Sequence, residues 1–108
     1  MTTTEPPGTT AASIDPADVS DALELLSDET RLAIVLELAA EGAVPDDDPM
    51  SFSTLRRRVG VRDSGRFNYH LDRLRDRYVE HGPDGYRLTS QGVAVAATVT
   101  GVANPLSA

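Results

Sequence analysis

The sequence predicts a mainly α-helical domain that carries one small β-hairpin, an α+β fold class. Between residues 15 and 77, apolar residues recur at spacings of three and four, in segments that open on Asp15 and Asp28 or close on Gly42 and Gly60. Such segments are typical of capped amphipathic helices. After Tyr78 the apolar period changes to two, on either side of a Pro-Asp-Gly turn, which indicates a hairpin.

The domain organisation follows from length and local composition. A chain of 108 residues is long enough for one compact domain and too short for two. Residues 1–14 are rich in Thr, Pro, Ala and Gly and are predicted to form a disordered N-terminal tail. The domain is predicted at residues 15–101, and residues 102–108 form a short C-terminal tail. The sequence leaves open whether a further C-terminal domain belongs to the protein.

The first two predicted helices lie in the acidic half of the chain. Asp15 caps the first, and Pro16 stands at its first position, where the missing N–H costs no hydrogen bond. Asp28 caps the second, whose apolar residues cover most of its circumference, so it is predicted to be the central and most buried helix. A very short strand is predicted next, at Met50 and Phe52. The apolar face of the first helix consists of Val19, Ala22, Leu23 and Leu26.

The second half predicts a helix-turn-helix unit followed by a hairpin. A third helix ending at Gly60 is joined by a short connection to a fourth at about residues 64–77, and two helices joined in this way form the unit. The hairpin covers residues 78–89, and Thr89 or Ser90 caps a last helix. The predicted order is therefore α-α-β-α-α-β-β-α, the arrangement of a winged helix-turn-helix.

Charge is distributed unevenly along the chain. The net charge is -7, but residues 1–50 carry -11 and residues 51–108 carry +4. The asymmetry directs the search for a nucleic-acid surface to the second half. All ten basic residues are arginines. This acidic, lysine-free composition resembles proteins of salt-loving archaea, although a genome rich in G and C would also exchange Lys for Arg.

Several classes of function are not expected. The chain has no cysteine, no secretory leader at its N-terminus and no apolar run of the ~18 residues that span a bilayer. No nucleophile–base pair, metal motif or phosphate loop stands at a recognisable spacing. We therefore expect a cytoplasmic protein that is not an enzyme and has no membrane segment, metal site or cofactor. The acidic run at residues 46–48 is predicted to be a hydrated loop.

Three motifs resemble the ArsR-type winged helix-turn-helix family of transcriptional repressors. They are LSDETRLAIVLEL at residues 26–38, NYHLDRL at 68–74 and GYRLTSQG at 85–92, and the similarity covers about residues 18–100. The resemblance implies a homodimer that binds operator DNA and pairs through its first and last helices. Metal sensors of that family use Cys or His/carboxylate clusters. This chain has no Cys and only His70 and His81, so the sensing chemistry does not carry over and the effector is left open.

The fourth helix carries the candidate site. At 100° per residue, Phe67, Leu71 and Leu74 form an inner face, whereas the outer face is polar. Outward residues near the start of such a helix reach base edges in DNA, and flanking arginines contact phosphates. His70, at the edge of the inner face, is predicted to be a packed structural residue. The predicted DNA-binding residues are Arg62, Ser64, Arg66, Asn68, Tyr69, Arg73 and Arg87.

The function predicted from these residues is sequence-specific DNA binding by a transcriptional regulator, through the helix at about residues 64–77. Arg66 is expected to read guanine and Asn68 adenine, and Tyr69 to contact a thymine methyl group or a phosphate. Arg56, Arg57 and Arg58 either contact phosphates or solvate their helix, and the sequence does not separate these alternatives. The alternative function is a winged-helix module that binds protein in a transcription complex without reading DNA.

Overall fold

The computed structural model describes residues 15–103 of the chain. The predicted N-terminal tail and residues 104–108 lie outside this range. Val102 and Ala103, predicted to belong to the C-terminal tail, continue the last helix instead. Within the described range the chain forms five helices and one two-stranded sheet, which confirms the α+β class. The elements are α1 (Pro16–Leu26), α2 (Glu29–Ala40), α3 (Phe52–Val59), α4 (Ser64–Leu74), β1 (Val79–Gly82), β2 (Gly85–Leu88) and α5 (Ser90–Ala103).

Short polar residues cap the helices at their N-terminal ends, at Asp15 and Asp28 as predicted and also at Ser51 and Asp63. Asp15 accepts a hydrogen bond from the Ala17 N–H, and one carboxylate oxygen of Asp28 accepts from two N–H groups of α2. Asp63 caps α4 in the same way. Gly60 ends α3 with φ of 87°, a left-handed conformation that L side chains rarely adopt. These caps satisfy backbone groups that the helix ends leave unpaired.

The core is built around α2, which packs against the other four helices and β2. This confirms its predicted central place. By contrast, the predicted apolar face of α1 is only partly covered: Leu26 is buried, but the side chain of Leu23 is 64% exposed and that of Val19 is 40% exposed. None of the described helices is long and apolar enough to cross a membrane. The largest fully buried side chains are Phe67, Ile34, Leu38, Leu55, Leu71, Leu74, Leu88, Val35 and Val79.

The hairpin joins the body of the domain through Met50. β1 and β2 pair antiparallel from Val79 with Leu88 to Gly82 with Gly85. Met50 and Tyr86 exchange two backbone hydrogen bonds of 2.8 Å each, so the strand predicted at Met50 and Phe52 is reduced to one bridge. Phe52 is helical, because Ser51 caps α3 at that point. A Cβ on Gly85 would stand 2.5 Å from the Met50 carbonyl oxygen, so only glycine permits this close approach.

Helix α4 ends at Leu74, three residues before the predicted end. Arg75 is extended, and Asp76 has φ of 74°, a conformation that Asp tolerates better than most residues. Within this turn the Asp76 N–H bonds to the Val79 carbonyl. Distant contacts hold the turn in place, because Tyr78 is buried in the core and its carbonyl accepts a 2.9 Å hydrogen bond from the Thr89 N–H. Asp76 and Arg77, which the predicted range of about residues 64–77 includes, therefore do not lie on the helix.

Candidate nucleic-acid interface

The inner face of α4 is locked into the core. Phe67, Leu71 and Leu74 have no exposed surface, and the ring of Phe52 meets that of Phe67 edge-on, with centroids 5.3 Å apart. Edge-to-face packing of this kind adds to the stabilisation from burial. The inner face predicted from the sequence is confirmed. Because three buried anchors fix the rotation of α4, they also fix which side chains it presents outward.

The outer face of α4 is polar and accessible. Arg66, Asn68 and Arg73 are exposed, and Tyr69 exposes 53% of its surface. The Arg73 guanidinium donates a 3.4 Å hydrogen bond to the Tyr69 hydroxyl one turn earlier. Asp72, the acidic residue on this face, pairs with Arg75 at 3.1 Å. Its charge is therefore partly compensated within the molecule.

His70 links α4 to the start of α2. It is buried, and its Nδ1 accepts a hydrogen bond from the Arg31 guanidinium at 3.1 Å, while an Asp28 oxygen lies 3.9 Å away. Arg31 also donates to the Leu25 carbonyl at 2.6 Å. Burial lowers the pKa of His70, and Arg31 and the arginines of α4 lower it further against the opposing charge of Asp28. The structure confirms the prediction that His70 is a packed, hydrogen-bonded residue.

The three consecutive arginines of α3 differ in their partners. Arg56 donates from one nitrogen to the carbonyls of Val61 and Arg62, at 3.2 and 2.8 Å. Arg58 pairs with acidic residues of α2 and its cap, the shorter distance being 2.7 Å to Glu41. Arg57 is exposed and has no hydrogen bond or ion pair among residues 15–103. The sequence left open whether these three arginines contact phosphates or solvate their helix. In the structure Arg56 and Arg58 are engaged within the domain, and the Arg57 side chain is available for a ligand.

Two further arginines share the state of Arg57. Arg62 and Arg66 are exposed, and neither has a side-chain partner in the described part of the chain. We call Arg57, Arg62 and Arg66 the arginine surface. They line two adjoining depressions that share residues 60–62. One, of about 390 Å³, is lined by Ser53, Arg56, Arg57, Gly60, Val61 and Arg62; the other, of about 400 Å³, by Thr30, Gly60, Val61, Arg62, Asp63 and Arg66.

The remaining predicted site residues are placed differently. Ser64 is exposed at the first position of α4, beside the arginine surface. Arg87, predicted as the basic residue of the hairpin, is turned inward. It donates to the Asp47 carbonyl at 2.7 Å and pairs with Glu80 at 3.2 Å, and its side chain is only 28% exposed. In this conformation it is not free to reach a ligand, because both contacts hold it against the domain.

A separate apolar groove lies between α1 and α5. Its volume is about 290 Å³, and no charged residue lines it. Helix α5 carries no ionisable side chain from Ser90 to Ala103. The groove is thus the chemical opposite of the arginine surface. It is lined by Val19, Ala22, Leu23, Leu26, Tyr78, Ala94, Val95, Thr98 and Val99.

The acidic run at residues 46–48 forms part of an exposed turn between α2 and α3. Asp46 adopts a left-handed conformation with φ of 71°. Across residues 15–103, the structure places no three His, Asp or Glu side chains where they could hold one metal ion together.

The comparisons with known proteins concern the same part of the chain. Neither a curated protein nor a solved structure matches the sequence. One family model, DUF7347, a domain of unknown function, matches residues 19–99. The match runs from the apolar face of α1 through α5 and covers more than half of the chain. The chain therefore belongs to the DUF7347 family.

Proposed function

We propose that the chain is a sequence-specific DNA-binding transcriptional regulator that docks α4 in the major groove. The observation that carries the proposal is the two-sided character of α4. Three buried side chains fix the helix, and Arg66, Asn68 and Tyr69 project from it into solvent. Because the backbone of the helix is already ordered, binding through these side chains does not carry the additional cost of ordering the backbone.

The order of elements supports a winged helix-turn-helix. Helices α3 and α4 are separated by residues 60–63, and a hairpin follows α4. In such folds the second helix of the unit lies in the major groove, and residues of its first turns contact base edges. The resemblance to ArsR-type repressors leads to the same placement.

Individual roles follow from side-chain chemistry. Arg66 can donate two hydrogen bonds to O6 and N7 of guanine, and the Asn68 amide can pair with N6 and N7 of adenine. Tyr69 supplies an aromatic edge for a thymine methyl group. Ser64 and Arg73 contact backbone phosphates, which position the protein without reading sequence. Because Arg87 is already engaged, we expect the hairpin to contribute little to binding.

The apolar groove supports pairing of two copies. Exposed apolar side chains that are grouped together commonly mark interaction sites. A two-fold dimer formed through α1 and α5 would present two copies of α4 to DNA. Their half-sites would lie about one helical turn, roughly 34 Å, apart. A regulator of this kind acts in the cytoplasm, where the DNA of a prokaryotic cell lies.

The test is selection of bound duplexes from a random library, with wild-type protein and the variants Arg66→Ala and Tyr69→Ala. We expect the wild type to enrich a two-fold symmetric sequence and both variants to lose selectivity while melting as wild type. Arg58→Ala is the matched control, because its guanidinium is paired with α2 and does not lie on α4. Selectivity unchanged in both α4 variants would refute base reading by this helix.

A second candidate function, binding of protein in a transcription complex, has its own support. The chain carries a net charge of -7, and Asp72 lies within the outer face of α4. Both features disfavour close approach to phosphates. This candidate predicts that the library yields no enriched duplex, and that a protein partner protects Tyr69 and Asp72 from hydrogen exchange.

A further inference from the structure

We infer that the depression lined by Arg57 and Arg62 binds one backbone phosphate of DNA, an inference that rests on the proposed function. The site would lie between the end of α3 and the start of α4. Arg57 and Arg62 would supply the guanidinium groups and Ser53 a hydroxyl donor. It would contact the backbone beside the bases that α4 reads.

The arginines of this surface lack intramolecular side-chain partners. Among residues 15–103, Arg57, Arg62 and Arg66 are the arginines whose side chains make no hydrogen bond, ion pair or cation–ring contact. The chain contains 17 acidic residues, so partners are abundant. Neighbouring like charges repel each other, and an anion between them removes that cost. The arginines that do have partners are Arg31, Arg56, Arg58, Arg73, Arg75, Arg77 and Arg87.

The lining of the depression suits an anion. It contains three arginines and one serine but no carboxylate, although the chain as a whole is acidic. The depression has a volume of about 390 Å³ and is lined by exposed residues, among them Ser53, Arg57 and Arg62. A guanidinium offers a planar fork of donors that matches two phosphate oxygens.

Arg56 also lines the depression and is less exposed than Arg57 and Arg62. Its guanidinium donates to the carbonyls of Val61 and Arg62, at 3.2 and 2.8 Å. Unpaired carbonyl oxygens would repel a phosphate, so this cation removes an obstacle to binding. The same bonds fix the path of the connection that carries Arg62. Arg56 is therefore a positioning residue, whereas Arg57 and Arg62 contact the ligand.

The setting favours the DNA backbone over a free anion. Arg62 lines both depressions, and Arg66 at the start of α4 lines the second. If Arg66 contacts the bases of a duplex, the backbone of that duplex would therefore lie beside Arg62 and Arg57.

The experiment measures affinity for the selected duplex by fluorescence anisotropy between about 0.1 and 1 M KCl. Over this range the Debye length falls from ~10 Å to ~3 Å. The variants are Arg57→Gln and Arg62→Gln. Arg58→Gln is the matched control, because it removes an identical side chain one residue further along the same helix. Losing one phosphate contact lowers the slope of log affinity against log salt by about 0.9. Because Arg57 and Arg62 share one phosphate, we expect a decrease of up to this size in each test variant, with an affinity loss of up to about tenfold that is the same for specific and unrelated duplexes.

Two further arms identify the source of the phosphate. A duplex with one neutral methylphosphonate at the contacted position should bind wild type about tenfold more weakly, and the loss should be smaller for Arg57→Gln, which retains only the Arg62 contact. In the absence of DNA, inorganic phosphate is titrated while the Arg57 and Arg62 side-chain NMR signals are followed. Saturation below about 1 mM, with no methylphosphonate effect, would show a free-anion site and overturn the inference.

The outcomes separate this inference from the proposed function. If wild type binds no duplex, the proposed function fails. If wild type binds selectively and Arg57→Gln behaves like Arg58→Gln, the inference alone fails. Thermal melting of each variant confirms that the changes act on binding, since all three side chains are on the surface.

Discussion

The apolar groove and the arginine surface are two parts of the described domain that carry side chains without partners of their own kind of chemistry. In the groove, Leu23 and Val19 are exposed beside an uncharged α5. On the arginine surface, three guanidinium groups form no ion pair within residues 15–103 although the chain is acidic. Elsewhere, apolar side chains are largely buried and most arginines are paired. The comparison teaches that the absence of a partner identifies a candidate contact surface better than the residue type does.

The largest effect on stability is expected where the start of α5 packs against the chain that follows α4. In the first turn of α5, a Cβ on Gly92 would overlap the carbonyl oxygen of Tyr78, which lines the groove and follows α4. Gly92→Ala should therefore lower the free energy of unfolding by about 3 kcal/mol, as expected for overpacking at a rigid contact. Chemical denaturation measures this. The matched control is Gly101→Ala, because no atom lies within 4 Å of its added Cβ and the change raises helix propensity. Equal effects of the two substitutions would contradict the packing argument.

The second effect concerns the groove alone. Leu23→Asp should prevent pairing of two copies, because it places two charges in one apolar interface. Since the residue occurs twice in a two-fold dimer, we expect the dissociation constant to rise about 100-fold, or ~2.7 kcal/mol. Analytical ultracentrifugation measures it. The control is Leu36→Asp, which alters another exposed leucine, at 37% exposure, that does not line the groove. A chain that is monomeric before any substitution would refute the dimer.

The third effect concerns His70 of α4, the helix that carries Arg66 of the arginine surface. Burial lowers the pKa of His70, helped by Arg31, Arg66 and Arg73 and opposed by Asp28. The unfolded chain, with His70 near its ordinary value of 6.5, therefore binds the proton more readily than the folded chain does. Stability from neutral His70 is present above pH 6.5 and is lost as the pH falls through 6.5 toward the folded pKa.

Thermal melting between pH 7.5 and 5.5, a range of about one unit on either side of the ordinary histidine pKa, tests this expectation. His70→Gln should remove most of the pH dependence. His81→Gln, which alters an exposed histidine of β1, is the control. If both variants keep the wild-type dependence, His70 is not its source.

The smallest effect separates the adjacent arginines. Arg58→Gln removes a 2.7 Å ion pair with Glu41 at the surface and should cost about 0.5 kcal/mol, because water screens such pairs. Arg57→Gln should leave the free energy of unfolding unchanged or raise it slightly, since it removes a repulsive charge. Urea denaturation at low salt measures both. A greater loss for Arg57→Gln would mean that its side chain has a structural role.

Local patterns were predictable from the sequence, and long-range pairing was not. The caps Asp15 and Asp28 and the inner face of α4 depend on spacings of four residues or fewer, and the structure confirms them. The end of α4 was missed because the turn at Asp76 is held by residues distant in sequence: Thr89 donates hydrogen bonds to the carbonyls of Arg77 and Tyr78.

The partners of the arginines show the same limit. Arg87 bonds to a residue 40 positions away, and Arg58 to acidic residues 17 and 21 positions away. A run of three arginines predicts a basic segment, but only the fold decides which of them remains free. That the Arg57 side chain is exposed and unpaired within residues 15–103 could therefore not be read from the sequence. The predicted role of Arg87 depended on a side-chain direction that its hydrogen bond to the Asp47 carbonyl changes.

The uncharged α5 has a consequence for the order of assembly. If two copies pair through the groove as proposed, salt would screen the repulsion between their acidic α1 helices, and salts excluded from apolar surface would strengthen the burial of the groove. The same ions would weaken the proposed phosphate contacts at the arginine surface. Rising salt would thus drive the two steps in opposite directions. In a cell with concentrated salt, the copies would pair first and find DNA afterwards as a finished unit, and dilution would reverse that sequence.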